Sequence, residues 1–366
     1  MTIESLALHV LNVGHGDSIV VEASYSDGSN RFSVIDCNIR RDEDAPPALA
    51  LLRKLGATRL ESAVITHFHH DHIRGMETIL AELRPRRLLI PPVLSTKTAL
   101  LKKILKQQKK RILKLLESTD DKSAKQAAYS MAKIIAWIVG HQDKVEELSG
   151  PRRLVALLPG LDAAVVLPTA RIKGVIHRHL EDEGDDVELF ADDHNDTSIA
   201  LTLDFADTIV ALCGDATLSQ WRLSRRICER DEISRLSARV IKAPHHGSKH
   251  NNTDEVYDFL EPEGAEKSVV LVSASGQVRP QVEFFRMVSR RRLLPYCTGL
   301  SACCMPENVV SMRGLQSLPP AMRAFVANYE TAERPVACQG DIRVRLSRGK
   351  PPSISTSVAS PCIYRM

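Results

Sequence analysis

Apolar and polar positions alternate along Leu6-Ala7-Leu8-His9-Val10-Leu11-Asn12-Val13, pause at Gly14-His15-Gly16-Asp17, and resume over Ser18-Ile19-Val20-Val21-Glu22. That period-two pattern predicts two strands joined at a glycine turn. Arg31-Phe32-Ser33-Val34-Ile35-Asp36 reads as a third strand. Residues 45–56, with Pro46-Pro47 near their start, change to helical spacing, with Gly56 placed to cap the helix. A strand at Ala63-Val64-Ile65-Thr66 comes next, then a short helix, then Arg87-Leu88-Leu89-Ile90, stopped by Pro91-Pro92.

Residues 97–148 differ in character. Leu100, Leu101, Ile104, Leu105, Ile112, Leu115 and Leu116 recur at helical spacing with lysines between them. A second helix is expected over 123–139, carrying Met131, Ile134, Ile135, Trp137 and Ile138 and ending at Gly140. The pair reads as a helical hairpin inserted into a mixed α/β domain. Strand patterns return at 163–168, at 198–203 and 208–213 as a hairpin, and at 240–243 and 268–272. Asp341-Ile342-Arg343-Val344-Arg345-Leu346 is a late strand expected to rejoin the sheet. The division expected from these patterns is a first half at 1–96, a helical insertion at 97–150, a second half at 151–300 and a C-terminal extension at 301–366.

Composition narrows the class only modestly. The 366 residues are 43% hydrophobic and 26% charged, as in a folded globular chain able to bury a full core. No apolar run reaches the ~18 residues that span a bilayer. Met1-Thr2-Ile3-Glu4 lacks the basic and apolar regions of a signal peptide, so a cytoplasmic location without membrane contact is expected. The cysteines include no Cys-x-x-Cys pair, which argues against a zinc ribbon. Cys297, Cys303 and Cys304 form either a small metal or redox site or a set of buried free thiols.

A net charge of +4 says little about partners, but its distribution says more. Eight basic residues and no acidic one fall between Lys97 and Lys114, among them Lys102, Lys106 and Lys110. Nine acidic residues and no lysine or arginine fall between Glu181 and Asp196. A basic stripe either tracks a phosphate backbone or is the solvated face of a helix.

The densest chemistry is Thr66-His67-Phe68-His69-His70-Asp71-His72, directly after an apolar strand. Imidazole and carboxylate are ligands for divalent zinc or manganese. Alternation along an extended chain turns His67 and His69 to one side and His70 to the other. Asp71 and His72 follow at the turn, placed for a second ion, and two-metal sites do hydrolysis. Further candidates stand at later strand ends: His194, Asp215 in Cys213-Gly214-Asp215, and His245 and His246 in Pro244-His245-His246-Gly247-Ser248.

Together these segments resemble the metallo-β-lactamase superfamily, whose signature is His67-x-His69-x-Asp71-His72. The match is most similar to the β-lactamase-like domain of the ComEC-type competence proteins and their stand-alone relatives. They share the turn Val13-Gly14-His15-Gly16-Asp17, the Asn195-x-x-Ser198 pattern and the Pro244-to-Ser248 segment. The chain departs from that pattern in carrying His15 for a glutamine, Arg74 for a glycine and Arg279-Pro280 for a His-Pro pair. It carries His194 where many such sequences lack a histidine.

The resemblance implies a four-layered αββα sandwich with the helical hairpin inserted. It also implies two divalent ions, Zn or Mn, about 3.5 Å apart. His67, His69 and His194 would hold one, Asp71, His72 and His245 the other, with Asp215 between them; His246 is the alternative to His245. Asp71 would orient a bridging hydroxide or take its proton, and His246 or a water would protonate the leaving group. Asp36 would fix a ligand imidazole, and Asp17 either does the same or serves only the glycine turn. Arg74 and Ser248 would reach substrate, Arg74 as a cation at the site mouth. The activity implied is cleavage of phosphodiesters in DNA or RNA; hydrolysis of a small ester, lactone, thioester or cyclic nucleotide is the alternative. The insert 97–148 is a third possibility, a surface for a protein partner.

Overall fold

The structure is a computed structural model that describes residues 1–40, 43–92, 122–151, 153–172, 194–232, 235–264, 267–274, 279–304 and 338–358. Strands β1 (Ile3–Val10), β2 (Ile19–Tyr25) and β3 (Asn30–Ile35) form an antiparallel meander. From β3 the chain switches to parallel pairing through β4 (Ser62–Val64), β5 (Arg87–Ile90) and β6 (Val145–Glu147). Parallel neighbours need a crossover. Helices α1 (Pro47–Lys54), α2 (His70–Ile73) with α3 (Met76–Leu83), and α4 (Lys122–Gly140) lie in those crossovers. The late strand β14 (Ile342–Ser347) pairs antiparallel with β1, as expected, and β15 (Lys350–Thr356) extends the edge to make eight strands.

The second sheet repeats the plan. Strands β7 (Arg153–Leu158), β8 (Leu161–Leu167), β9 (Ala200–Phe205) and β10 (Thr208–Leu212) are antiparallel. Strands β11 (Ala238–Lys242), β12 (Val269–Val272) and β13 (Leu294–Cys297) then run parallel to β10. Their crossovers carry α5 (Leu218–Arg230), α6 (Asp254–Leu260) and α7 (Val282–Arg290).

Three apolar cores explain the layering. Leu6, Leu8, Val10 and Val64 from the first sheet meet Leu201, Leu203, Val210 and Val240 from the second. The other face of the first sheet is covered by Leu49, Leu52, Ile79, Leu80, Ile134 and Ile138 of α1, α3 and α4. The other face of the second is covered by Trp221, Tyr257, Phe259, Phe284 and Phe285 of α5 to α7. This is the αββα sandwich. Ile134 and Ile138 of α4, the expected second limb of the helical hairpin, belong to the outer core. The first helix of that hairpin, including Lys102, Lys106 and Lys110, lies outside the described residues. Among the described residues no helix is long and apolar enough to cross a membrane.

Candidate metal centre

Strand direction decides where the chemistry gathers. β3, β4, β10 and β11 end at one edge of the sandwich, and Asp36, His67, Asp215 and His245-His246 follow those ends. A bond from the Ile199 amide to the Thr66 carbonyl (2.9 Å) ties the two sheets together there. Two glycines permit the close approach. Gly16 adopts φ +105, and a Cβ on it would collide with the Asp71 carbonyl. Gly214, at φ +51, would drive a Cβ to 2.5 Å from Ser198 Oγ and 2.9 Å from the Ile199 carbonyl. Ser198 in turn receives the amide of Asp215 on its hydroxyl (2.9 Å).

Four buried side chains converge at this edge: Asp71, His72, Asp215 and His246. Five separations among Asp71 Oδ2, His72 Nε2, His246 Nε2 and Asp215 Oδ1 run from 3.3 to 3.6 Å. Four donors on a tetrahedron around an ion at 2.0–2.2 Å stand roughly 3.3–3.6 Å apart. Asp215 Oδ1 is buried with no hydrogen-bond partner, which is costly unless a cation completes it. The donor set therefore fits a divalent ion. Beside it, His67 Nε2 lies 3.0 Å from His69 Nδ1 and 3.9 Å from Asp215 Oδ2, the start of a second donor set. The two oxygens of Asp215 thus face different imidazoles. The backbone of His194 opens a 3-10 turn ahead of β9; its side chain lies outside the described residues.

Asp36 orients both groups of imidazoles. It accepts from His72 Nδ1 (2.7 Å), the Thr66 amide (2.7 Å) and the Thr66 hydroxyl (2.6 Å). Because the Thr66 hydroxyl proton is committed to Asp36, its oxygen accepts from His67 Nδ1 (3.1 Å). Both imidazoles then direct Nε2 to the centre. Asp17 stands behind His246, its Oδ1 3.6 Å from Nδ1. It is paired at 2.9 Å to the ammonium of Lys242, a lysine with no exposed surface. Thr66 and Lys242 were not expected from the sequence. A lysine interrupting the apolar strand Val240-Ile241-Lys242-Ala243 was the available signal.

The two carboxylates are poised for a cation, while His72 must give up a proton to bind one. Burial opposes charge on Asp71, but His72, His15 and His246 outweigh it and hold the carboxyl well below its usual range. Asp215 behaves alike through His246 and His72. Burial would discharge His72, yet Asp215, Asp71 and Asp36 hold it protonated well above the usual imidazole range. Burial keeps His67 and His69 neutral instead.

Several expected roles change. His246, rather than His245, joins Asp71 and His72; both residues sit in the left-handed region (φ +54 and +47), which turns two successive rings inward. His246 directs Nε2 to the donor set and Nδ1 toward Asp17. His245 accepts at Nδ1 from the Asn251 amide (2.7 Å), whose oxygen is held by the Leu218 amide. Its Nε2 therefore carries the proton and faces Asp215 Oδ2 at 3.4 Å. Arg74 is buried and binds Asn38 Oδ1 (3.0 Å) and the Ile39 carbonyl, so it braces a loop instead of lining the mouth. Ser248 is buried in the turn after His246, its amide bound to the His245 carbonyl, and is not a surface contact. His70, expected to face away from His67 and His69, is exposed at the start of α2. Cys297 and Cys304 are buried thiols, and Cys303 donates to the Pro280 carbonyl (3.1 Å).

A four-layer sandwich with imidazole and carboxylate donors gathered at its strand ends defines a metal-dependent hydrolase. The sequence profile of the Metallo-beta-lactamase superfamily matches residues 11–263, and the chain belongs to that superfamily. Among solved structures it is similar to a mutant of the CmlA beta-hydroxylase, with 14% identity and a TM-score of 0.40. That match covers 81% of this chain but 53% of the other, so this chain spans about half its length. A diphosphatase from the PhnP family matches at 12% identity and TM-score 0.31, covering 72% of this chain and 85% of that one. The metallo-beta-lactamase SMB-1 matches at 12% identity and TM-score 0.30, covering 69% and 87%. No curated protein sequence matches the chain.

Proposed function

We propose that this chain is a binuclear metallohydrolase of phosphodiesters, with nucleic acid as its substrate. The observation that carries the binuclear reading is Asp215, whose two buried oxygens face two different sets of imidazoles. Zn or Mn bound there would acidify water toward neutral pH and offset charge on a phosphoryl oxygen. The chain's own residues do the positioning. Asp36 fixes His72 directly and His67 through Thr66, while Asp17 stands behind His246. His245 Nε2–H steadies Asp215 from the other side. Asp71, held ionised, is placed to orient the attacking water or accept its proton.

The basic run Lys97–Lys114 supports a polyanionic substrate. In sequence the run follows β5, whose end lies beside the end of β4, where His67 begins the donor run. The acidic run that leads into His194 favours a smaller substrate instead and supports hydrolysis of a compact ester or lactone as the second reading. Metal-loaded protein is expected to cleave single- or double-stranded DNA or RNA, and Asp71→Asn with His72→Ala to abolish cleavage. Turnover of chromogenic phosphodiesters, lactones or thioesters, with all nucleic acids left intact, would move the assignment to the second reading.

A further inference from the structure

His15 stands where the resembling proteins carry a glutamine, and the metal assignment above leaves it without a role. Its side chain is 53% exposed, and its Nε2 lies 3.0 Å from Asp71 Oδ2, the oxygen that faces His72 and His246. Its ring meets that of His246 at 85° with centroids 5.7 Å apart, close to the 5.3 Å between His72 and His246. Two imidazoles bound to one ion through nitrogens at ~2.05 Å place their ring centres roughly 5–6 Å apart across tetrahedral to trigonal angles. His15, Asp71 and His246 also offer ligand atoms that lie within 4.8 Å of one another. The position is held firmly: Asn38 Nδ2 donates to the His15 carbonyl, Asn12 Oδ1 accepts from the Gly14 amide (3.3 Å), and Gly16 packs on the Asp71 backbone.

We propose that His15 is an additional nitrogen ligand, on the solvent side, for the ion held by Asp71, His72, His246 and Asp215. The inference rests on the metal centre proposed above. An imidazole on the open side fills a position that a substrate oxygen or water would otherwise take, so His15 sets how tightly this ion is held and how readily substrate reaches it. A mere hydrogen bond from His15 to Asp71 is the rival arrangement. A glutamine can supply that bond through its amide but is a poor substitute for an imidazole donor.

The test uses the full chain loaded with Co²⁺, with visible absorption and metal affinity as readouts. His15→Gln and His15→Ala, both at an exposed site, are expected to change the d–d spectrum alike. Both are expected to weaken the more affected ion by about tenfold or more, the lower end for lost metal-site partners. A His15→Gln protein with wild-type spectrum and affinity overturns the proposal and leaves His15 as a hydrogen-bonding partner of Asp71. Unchanged behaviour in both variants overturns it too. Wild-type protein that binds no metal would instead refute the metal centre itself, so the two failures are distinguishable.

Discussion

Asp36 and Asp17 are two buried carboxylates, each standing behind an imidazole of the same donor set, yet they are wired differently. Asp36 accepts a 2.7 Å bond from His72 and is otherwise satisfied by Thr66. Burial dominates and raises its pKa. Asp17 is matched by Lys242, and although burial opposes ionisation, Lys242, His246 and His72 pull its pKa down. Its approach to His246 Nδ1, at 3.6 Å, is too long for a hydrogen bond. Asp36 therefore grips its imidazole, while Lys242 draws Asp17's charge away from His246. The difference would make His72 the fixed member of the proposed donor set and His246 the adjustable one.

The largest effect should come from breaking the Asp17–Lys242 pair. Lys242→Met leaves a buried carboxylate without its cation and should cost about 3–5 kcal/mol of stability. The double variant Lys242→Met with Asp17→Leu should recover much of that loss in chemical denaturation. A double variant no more stable than Lys242→Met alone would show that the pair is not the source of the loss.

A smaller effect should separate the two carboxylates at the metal. Asp36→Asn removes the acceptor that orients His72 and, through Thr66, His67, and should weaken metal binding by about 10–100-fold. Asp17→Asn should weaken it less, because no hydrogen bond to His246 is lost. Competition titrations against a chromogenic chelator measure both, and equal losses would erase the contrast.

The smallest effect is on pH dependence. Without metal, His72 titrates above its unfolded value of about 6.5. Its contribution to stability is therefore complete below about pH 6.5 and fades as pH rises through the higher folded value. Thermal melts of chelated protein should show this decline in the wild type and not in His72→Gln. Metal-loaded protein should show the reverse trend near neutrality, because protons compete with the ion for the same nitrogen.

Much of this arrangement was legible in the sequence. Alternating apolar positions marked the strands whose ends carry Asp36, His67, Asp215 and His246, and the spacing of the histidine run marked its chemistry. Helices α5 to α7 were missed because their apolar stripes are short and crowded by charged residues. The choice between His245 and His246 was not legible, since adjacent identical side chains are separated only by backbone dihedrals. Arg74 misled for a related reason: nothing in its spacing shows that its guanidinium turns inward to Asn38 and Ile39. Lys242 was visible as a charge inside an apolar strand, but its partner lies 225 positions away.

The central claim is that His246 binds the ion while the neighbouring His245 only donates a hydrogen bond to Asp215. Metal stoichiometry of His246→Ala and His245→Ala, each saturated with Zn²⁺ or Mn²⁺ and freed of loosely held ions, tests it most directly. The structure predicts that His246→Ala retains one ion per chain and His245→Ala retains two. Loss of an ion in His245→Ala, with both kept in His246→Ala, would contradict it.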